Sequence, residues 1–236
     1  MPRNPSPDRS IPAPRFWFLG ALLALAVAWM AGLALSNNTE VWTRDEALGL
    51  YVHAPGSVCI ERDEGWGRTV YGRHNIPAVT DIAARPEAKV LFWGDSHVEA
   101  FHVDDRCKTA QRFTALAQAD DRNVLAAGIG HSGDNVADYF FKLPAYEAVV
   151  PGVAVHVVLV STLEDMEPQR SETTSSFLEG PLRFERRDFT PSAKALRYGP
   201  LIHRLGLGWA WLAYNRITSA DLRFAPGEGR LVCDHC

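Results

Sequence analysis

The sequence predicts an α/β protein in which a parallel sheet is covered on both faces by helices, a three-layer α/β/α arrangement carried behind one N-terminal transmembrane helix. Two observations predict it. Three short apolar runs, residues 89–93, 123–127 and 153–160, each end at a polar turn rich in glycine or hydroxyl groups, and helix-compatible stretches separate them. Such runs, apolar rather than alternating, mark strands buried on both sides. Upstream, residues 16–36 carry no charged side chain.

Taken in order, residues 1–15 are rich in proline and polar groups, with Arg3, Arg9 and Arg15 against Asp8, and bury nothing. They read as a disordered tail. Residues 16–36 are about 21 positions long, and at 1.5 Å each they reach roughly 30 Å, the thickness of a hydrocarbon core. No polar stripe interrupts them, as it would on the surface helix of a globular domain. Arginines precede this segment while Glu40, Asp45 and Glu46 follow it with Arg44, so the positive-inside rule places the tail in the cytoplasm. The rest of the chain is then extracytoplasmic, in the periplasm if the cell is Gram-negative. Ala34-Leu35-Ser36 also forms a small-x-small cleavage pattern, but the apolar stretch exceeds a signal-peptide core and favours a retained anchor.

Residues 37–86 are turn-rich, with Gly56, Gly65, Gly67 and Gly72 and the charged run Glu61-Arg62-Asp63-Glu64. They read as a linker and a segment leading into a domain over 87–236. There, 89–93 forms a strand ending in a tight turn at Gly94, followed by a helix. The run 123–127 ends in Gly128-Ile129-Gly130-His131-Ser132-Gly133, after which Asp134 and Asn135 offer caps for a helix over 136–146. The third run, 153–160, is β-branched and apolar except for His156, which reads as a satisfied core histidine. Ligands of such folds bind beyond the carboxyl ends of the strands, where the motifs beginning at Gly94, Gly128 and Ser161 all fall.

Composition narrows the function. A net charge of −4 and the absence of a basic stripe argue against nucleic acid as a partner. Four cysteines, Cys59, Cys107, Cys233 and Cys236, are too few for a disulfide-built scaffold but allow one or two bridges. Cys233-Asp234-His235-Cys236 is too cramped for a zinc site without a second cluster. The aromatic run from Leu205 to Tyr214 is too short to span a bilayer, leaving it to cover the sheet or sit at the membrane surface.

A serine at a strand-to-helix turn, as in Gly94-Asp95-Ser96-His97, has an exposed hydroxyl and a backbone N–H at the start of a helix, which suits a nucleophile and one oxyanion donor. Its plainer use is a helix cap. Ser132-Gly133-Asp134-Asn135, with Lys142-Leu143-Pro144 downstream, adds a second motif at the next strand end. Together these blocks resemble the SGNH/GDSL hydrolases, serine esterases with a flavodoxin-like three-layer sheet. The resemblance implies that Ser96 is the nucleophile, that the N–H groups of Ser96 and Gly133 hold the oxyanion, with Gly130 as the alternative glycine, and that Asp95, His97 and His131 line the site. It requires no metal or organic cofactor.

The chain departs from that family's pattern twice. The third block, Gly-x-Asn-Asp, is answered by Ser161-Thr162-Leu163-Glu164-Asp165, so Asp165 fits and Glu164 replaces the donor asparagine. Either Ser161 or Thr162 donates in its place, or the oxyanion hole is incomplete. The final Asp-x-x-His block has no match: Asp234 and His235 are adjacent, and Glu99 with His102 has the spacing but lies on the helix after Ser96, expected to point away from its hydroxyl. A truncated or frame-shifted product explains this most simply. The implied function is a membrane-anchored esterase working through an acyl-serine on an acylated envelope glycan or a lipid ester. An O-acyltransferase on glycans, or a non-catalytic glycan-binding scaffold of the same fold, are the alternatives.

Overall fold

The computed structural model describes residues 14–35, 37–38, 40–62, 65–166, 175–178, 183–186, 189–211 and 214. The segment 233–236, with both of its cysteines, Asp234 and His235, lies outside the described residues. Helix α1, Pro14–Leu35, starts with proline in its first turn, where a missing N–H costs nothing. It is long and apolar enough to cross a membrane, and its Phe16, Trp17, Leu19, Leu23 and Leu25 are exposed all round.

Residues 37–86 are not a linker. They form two antiparallel hairpins, β1 (Trp42–Asp45) with β2 (Leu50–His53), and β3 (Val58–Glu61) with β4 (Gly67–Val70). Leu48, Leu50, Val52 and Ile76 are buried in one core with Leu91 and Trp93 of the sheet. Glu61, the first residue of the charged run that reads as linker, ends β3, and the Asp45 carboxylate caps the first hairpin by accepting from Ala47 and Leu48 N–H at 3.0 and 3.1 Å.

The main sheet holds three parallel strands in the order β6 (Val124–Gly130), β5 (Ala88–Gly94), β7 (Val153–Val158). Between them run the one-turn α2 (Ser96–Glu99), α3 (Thr109–Ala119) and α4 (Val136–Val149). Side-chain alternation along β5 sorts the packing: Leu91 and Trp93 face Tyr139 and Tyr146 of α4 and the first hairpin, while Val90 and Phe92 face Val98 of α2 and Ala110 of α3. Asn135 and Asp138 form the capping box that starts α4. A short antiparallel pair, β8 (Ser175–Leu178) with β9 (Arg183–Arg186), and helix α5 (Ala193–Leu205) follow.

His156 is the satisfied histidine its setting implied, accepting from Trp93 Nε1 at 3.0 Å and lying 3.1 Å from Glu147. The third run is not covered on both faces, however. Val155 and Val158 of β7, and Val160 beyond it, keep 48, 46 and 46% of their surface, and β7 has β5 as its one strand neighbour among the described residues.

Candidate active site

The site is built where β5 ends. Asp95 leaves the strand and caps α2, its Oδ1 accepting from the His97 N–H at 3.0 Å. Ala100, in the left-handed conformation at φ 48°, closes the turn by donating to Ser96 O at 2.7 Å. Ser96 is thereby held, exposed, beyond the carboxyl end of the central strand. The connection from β5 to β6 runs over one sheet face and that from β6 to β7 over the other, so Ser96 stands at a topological switch point, the usual ligand crevice of open α/β sheets. Neither its hydroxyl nor its N–H is hydrogen-bonded within the described residues, so both are open to a ligand.

The second motif is fastened to the first. Gly133 adopts φ +83° in a turn closed by Asp134 N–H donating to His131 O at 3.0 Å, a conformation that favours glycine. Ser132 donates both its N–H and its hydroxyl to Glu99 Oε2, each at 2.7 Å. Glu99 ends α2, three residues after Ser96, so this buried side chain ties the Gly133 turn to the helix that begins at Ser96. Gly130 has a different duty from the oxyanion role considered for it: a Cβ there would overlap the Glu99 N and Val98 C atoms, so glycine is what lets α2 rest on the end of β6. On the other side the Lys142 ammonium forms a buried ion pair with Asp134, which accounts physically for a cation ten positions after the Ser132 that opens the motif.

The third motif is arranged differently from expectation. Asp165 accepts from the N–H and hydroxyl of Ser161 at 2.7 and 2.9 Å and from the N–H and hydroxyl of Thr162 at 3.0 and 3.1 Å. Neither Ser161 nor Thr162 therefore has a donor left to replace the missing asparagine. Burial alone would raise the Asp165 pKa, but these four bonds outweigh it and hold the carboxyl below its usual range. Ser161 Oγ also lies 3.2 Å from Asp95 Oδ2, the one side-chain hydrogen bond between this loop and the Asp95-Ser96 turn among the described residues. Glu164 belongs by its backbone to the short turn Leu163–Met166; its side chain lies outside what is described.

The histidines divide into open and enclosed. His97 is exposed, with Nδ1 3.1 Å from Asp95 Oδ1, an imidazole–carboxylate pair on either side of Ser96 in sequence. His131 packs between Trp42 and Phe189, ring centroids 6.3 and 5.9 Å away, and burial pushes its pKa down. Glu99 is pushed up, chiefly by burial, against the pull of His131 and of its bonds to Ser132. Glu99 and His102 form no dyad: the first is spent on Ser132 and the second is exposed. Sequence reading passed over the enclosing wall, where His53 stacks between Trp42 and Tyr71 at 4.1 and 3.9 Å. It comes from hairpin residues that carry no motif.

No family model, curated protein or solved structure matches the chain. What the site can do therefore rests on its chemistry. It presents an exposed serine at a helix start, a glycine turn tied to that helix through Glu99, and an exposed histidine beside Asp95. Among the described residues no three His, Cys, Asp or Glu side chains converge as a metal site requires. Cys59 and Cys107 are not bridged to one another, and burial raises the Cys59 thiol to about 12, which leaves it unreactive.

Proposed function

We propose that this chain is a membrane-anchored serine esterase of the SGNH/GDSL type. The observation that carries the reading is the Glu99–Ser132 double hydrogen bond, which couples the two motifs that resemble that family around an open Ser96 hydroxyl. The strand order, second–first–third among the parallel strands, is that of one half of a flavodoxin-like sheet, and helices on both faces agree with the three-layer fold. In this reading Ser96 Oγ attacks an ester carbonyl, Ser96 and Gly133 N–H groups hold the oxyanion, and water releases the acyl group. The hydroxyl proton passes to an imidazole, for which His97, oriented by Asp95, is the nearest in sequence, and returns to the alcohol that leaves as the acyl–oxygen bond breaks, before water attacks the acyl-serine. With α1 as anchor and its arginine-bearing end in the cytoplasm, the domain faces the envelope, and acylated glycan or lipid esters are its substrates.

A specific observation favours a second reading, a non-catalytic glycan-binding scaffold: Ser96 Oγ has no imidazole bonded to it among the described residues, and Asp165 consumes the donors of the third motif. Acetate release from an acetylated polysaccharide by the full chain in nanodiscs decides between them. An esterase loses roughly 10³-fold or more in rate on Ser96→Ala. Binding of the polysaccharide with no release, unaltered by that substitution, establishes the scaffold. Transfer of the acetyl group to an added acceptor glycan in preference to water would mark an acyltransferase.

A further inference from the structure

We infer that α5 and the aromatic segment after it form an interfacial element that lies on the anionic surface of the bilayer crossed by α1. The inference rests on reading α1 as the membrane anchor. Residues 193–214 contain Lys194, Arg197, His203 and Arg204 and not one aspartate or glutamate, in a chain whose net charge is −4. Four large apolar side chains of this stretch are turned outward: Tyr198, Leu201, Leu205 and Tyr214 are all more than two-fifths exposed. At 100° per residue Tyr198, Leu201 and Leu205 fall within an arc of about 60°, with Arg197 and Arg204 on its flank. Lys194 sits 5.8 Å over the Tyr214 ring and Arg197 5.4 Å over Tyr198, the pairing of cation and aromatic body that lets a side chain bury its stem and keep its charge at headgroup level.

What identifies the occupant is the contact with α1. Trp29 Nε1 donates to the carbonyl of Leu205 at 3.2 Å, at the end of α5. The Trp209 ring occupies the space a Cβ on Gly32 would fill, and Leu33 packs on Gly206. Trp29 lies six residues before the end of α1, about 9 Å along the axis at 1.5 Å per residue. That depth matches the roughly 5–10 Å to which interfacial helices sink their apolar face. A protein partner would have to share this position with lipid; a bilayer occupies it as soon as α1 is inserted. A cleft of about 360 Å³ beside the same junction is lined by Arg62, Arg68 and His203, which extends the cationic surface along the membrane plane. Anionic headgroups are the complementary chemistry for these basic side chains.

The test places an environment-sensitive fluorescent amino acid at Leu201, Leu22 or Leu116 of the full chain, reconstituted in bilayers with or without phosphatidylglycerol and with nitroxide-bearing lipids. Leu201 should be quenched by shallow nitroxides, Leu22 by deep ones and Leu116, exposed on α3, by neither. Lys194→Glu, Arg197→Glu and Arg204→Glu together, or salt near 0.5 M, should roughly halve the quenching at Leu201 and leave Leu22 unchanged. An unquenched Leu201 with Leu22 still quenched overturns the inference while the anchor stands. An unquenched Leu22 removes the anchor and the inference together. Equal quenching at Leu201 in bilayers lacking anionic lipid overturns the assignment of an anionic surface.

Discussion

The ends of β5 and β6 are fastened to one another by buried polar groups, whereas the end of β7 is fastened chiefly to itself. On the first side Glu99 reaches from α2 to Ser132, and Lys142 reaches from α4 to Asp134. On the other, Asp165 gathers the donors of its own loop, and among the described residues one 3.2 Å side-chain contact, between Ser161 and Asp95, crosses to the Asp95-Ser96 turn. Unsatisfied buried charge is expensive, so the first arrangement fixes Ser96 relative to Gly133. The second fixes only a loop. The Ser96 and Gly133 turns are thus tied to one another, and the 161–165 loop is tied chiefly to itself.

Four perturbations break or sharpen that contrast, in descending order of size. Lys142→Ala takes the ammonium away from the buried Asp134 carboxylate and should cost about 3–5 kcal/mol in chemical denaturation. Replacing both partners together, Lys142→Met with Asp134→Leu, should recover much of that loss; a cost below about 1 kcal/mol for the single change would remove the pair from its structural role. Glu99→Ala leaves the Ser132 N–H and hydroxyl without their acceptor and should cost about 2–4 kcal/mol. Glu99→Gln, whose amide oxygen still accepts both, should stay within about 1 kcal/mol. At the β7 end Ser161→Ala should cost under about 1 kcal/mol and leave the geometry of Ser96 unchanged, read as unaltered reactivity toward a serine-directed phosphonate.

The smallest effect is in pH dependence, and its sign differs between the two regions. Burial raises Glu99, so its contribution to stability is fully present below the ordinary glutamate range and is lost as pH rises through its folded value. Hydrogen bonding lowers Asp165, so its contribution is present above the ordinary aspartate range and is lost as pH falls through its folded value. Thermal melts of Glu99→Gln should therefore lose a decline on the rising-pH side, and those of Asp165→Asn a decline on the acid side. Matching profiles for the two variants would show that the regions do not differ in this way.

The parts of this site visible in the sequence are those made by neighbouring residues. The three apolar runs became β5, β6 and β7 because strand burial writes itself as an unbroken apolar run, and Asn135 caps α4 because a cap and its helix are contiguous. Lys142 was noticeable by its spacing, yet its partner was not, since the pairing depends on how α4 lies beside the turn at Asp134. Glu99 was weighed only against His102, the residue at helical spacing, when its bonds go to Ser132 thirty-three positions away. The hairpins of residues 37–86 were missed because strands of four residues among glycines leave too short a period to read. That β7 is an edge strand follows from sheet order, which no local pattern encodes.

The most direct measurement is mass spectrometry of the full chain in nanodiscs after treatment with a fluorophosphonate. If Ser96 is the nucleophile, one phosphonyl adduct forms on the peptide containing Ser96 and is absent from Ser96→Ala. Labelling that survives the substitution, or that falls on another residue, would contradict the assignment.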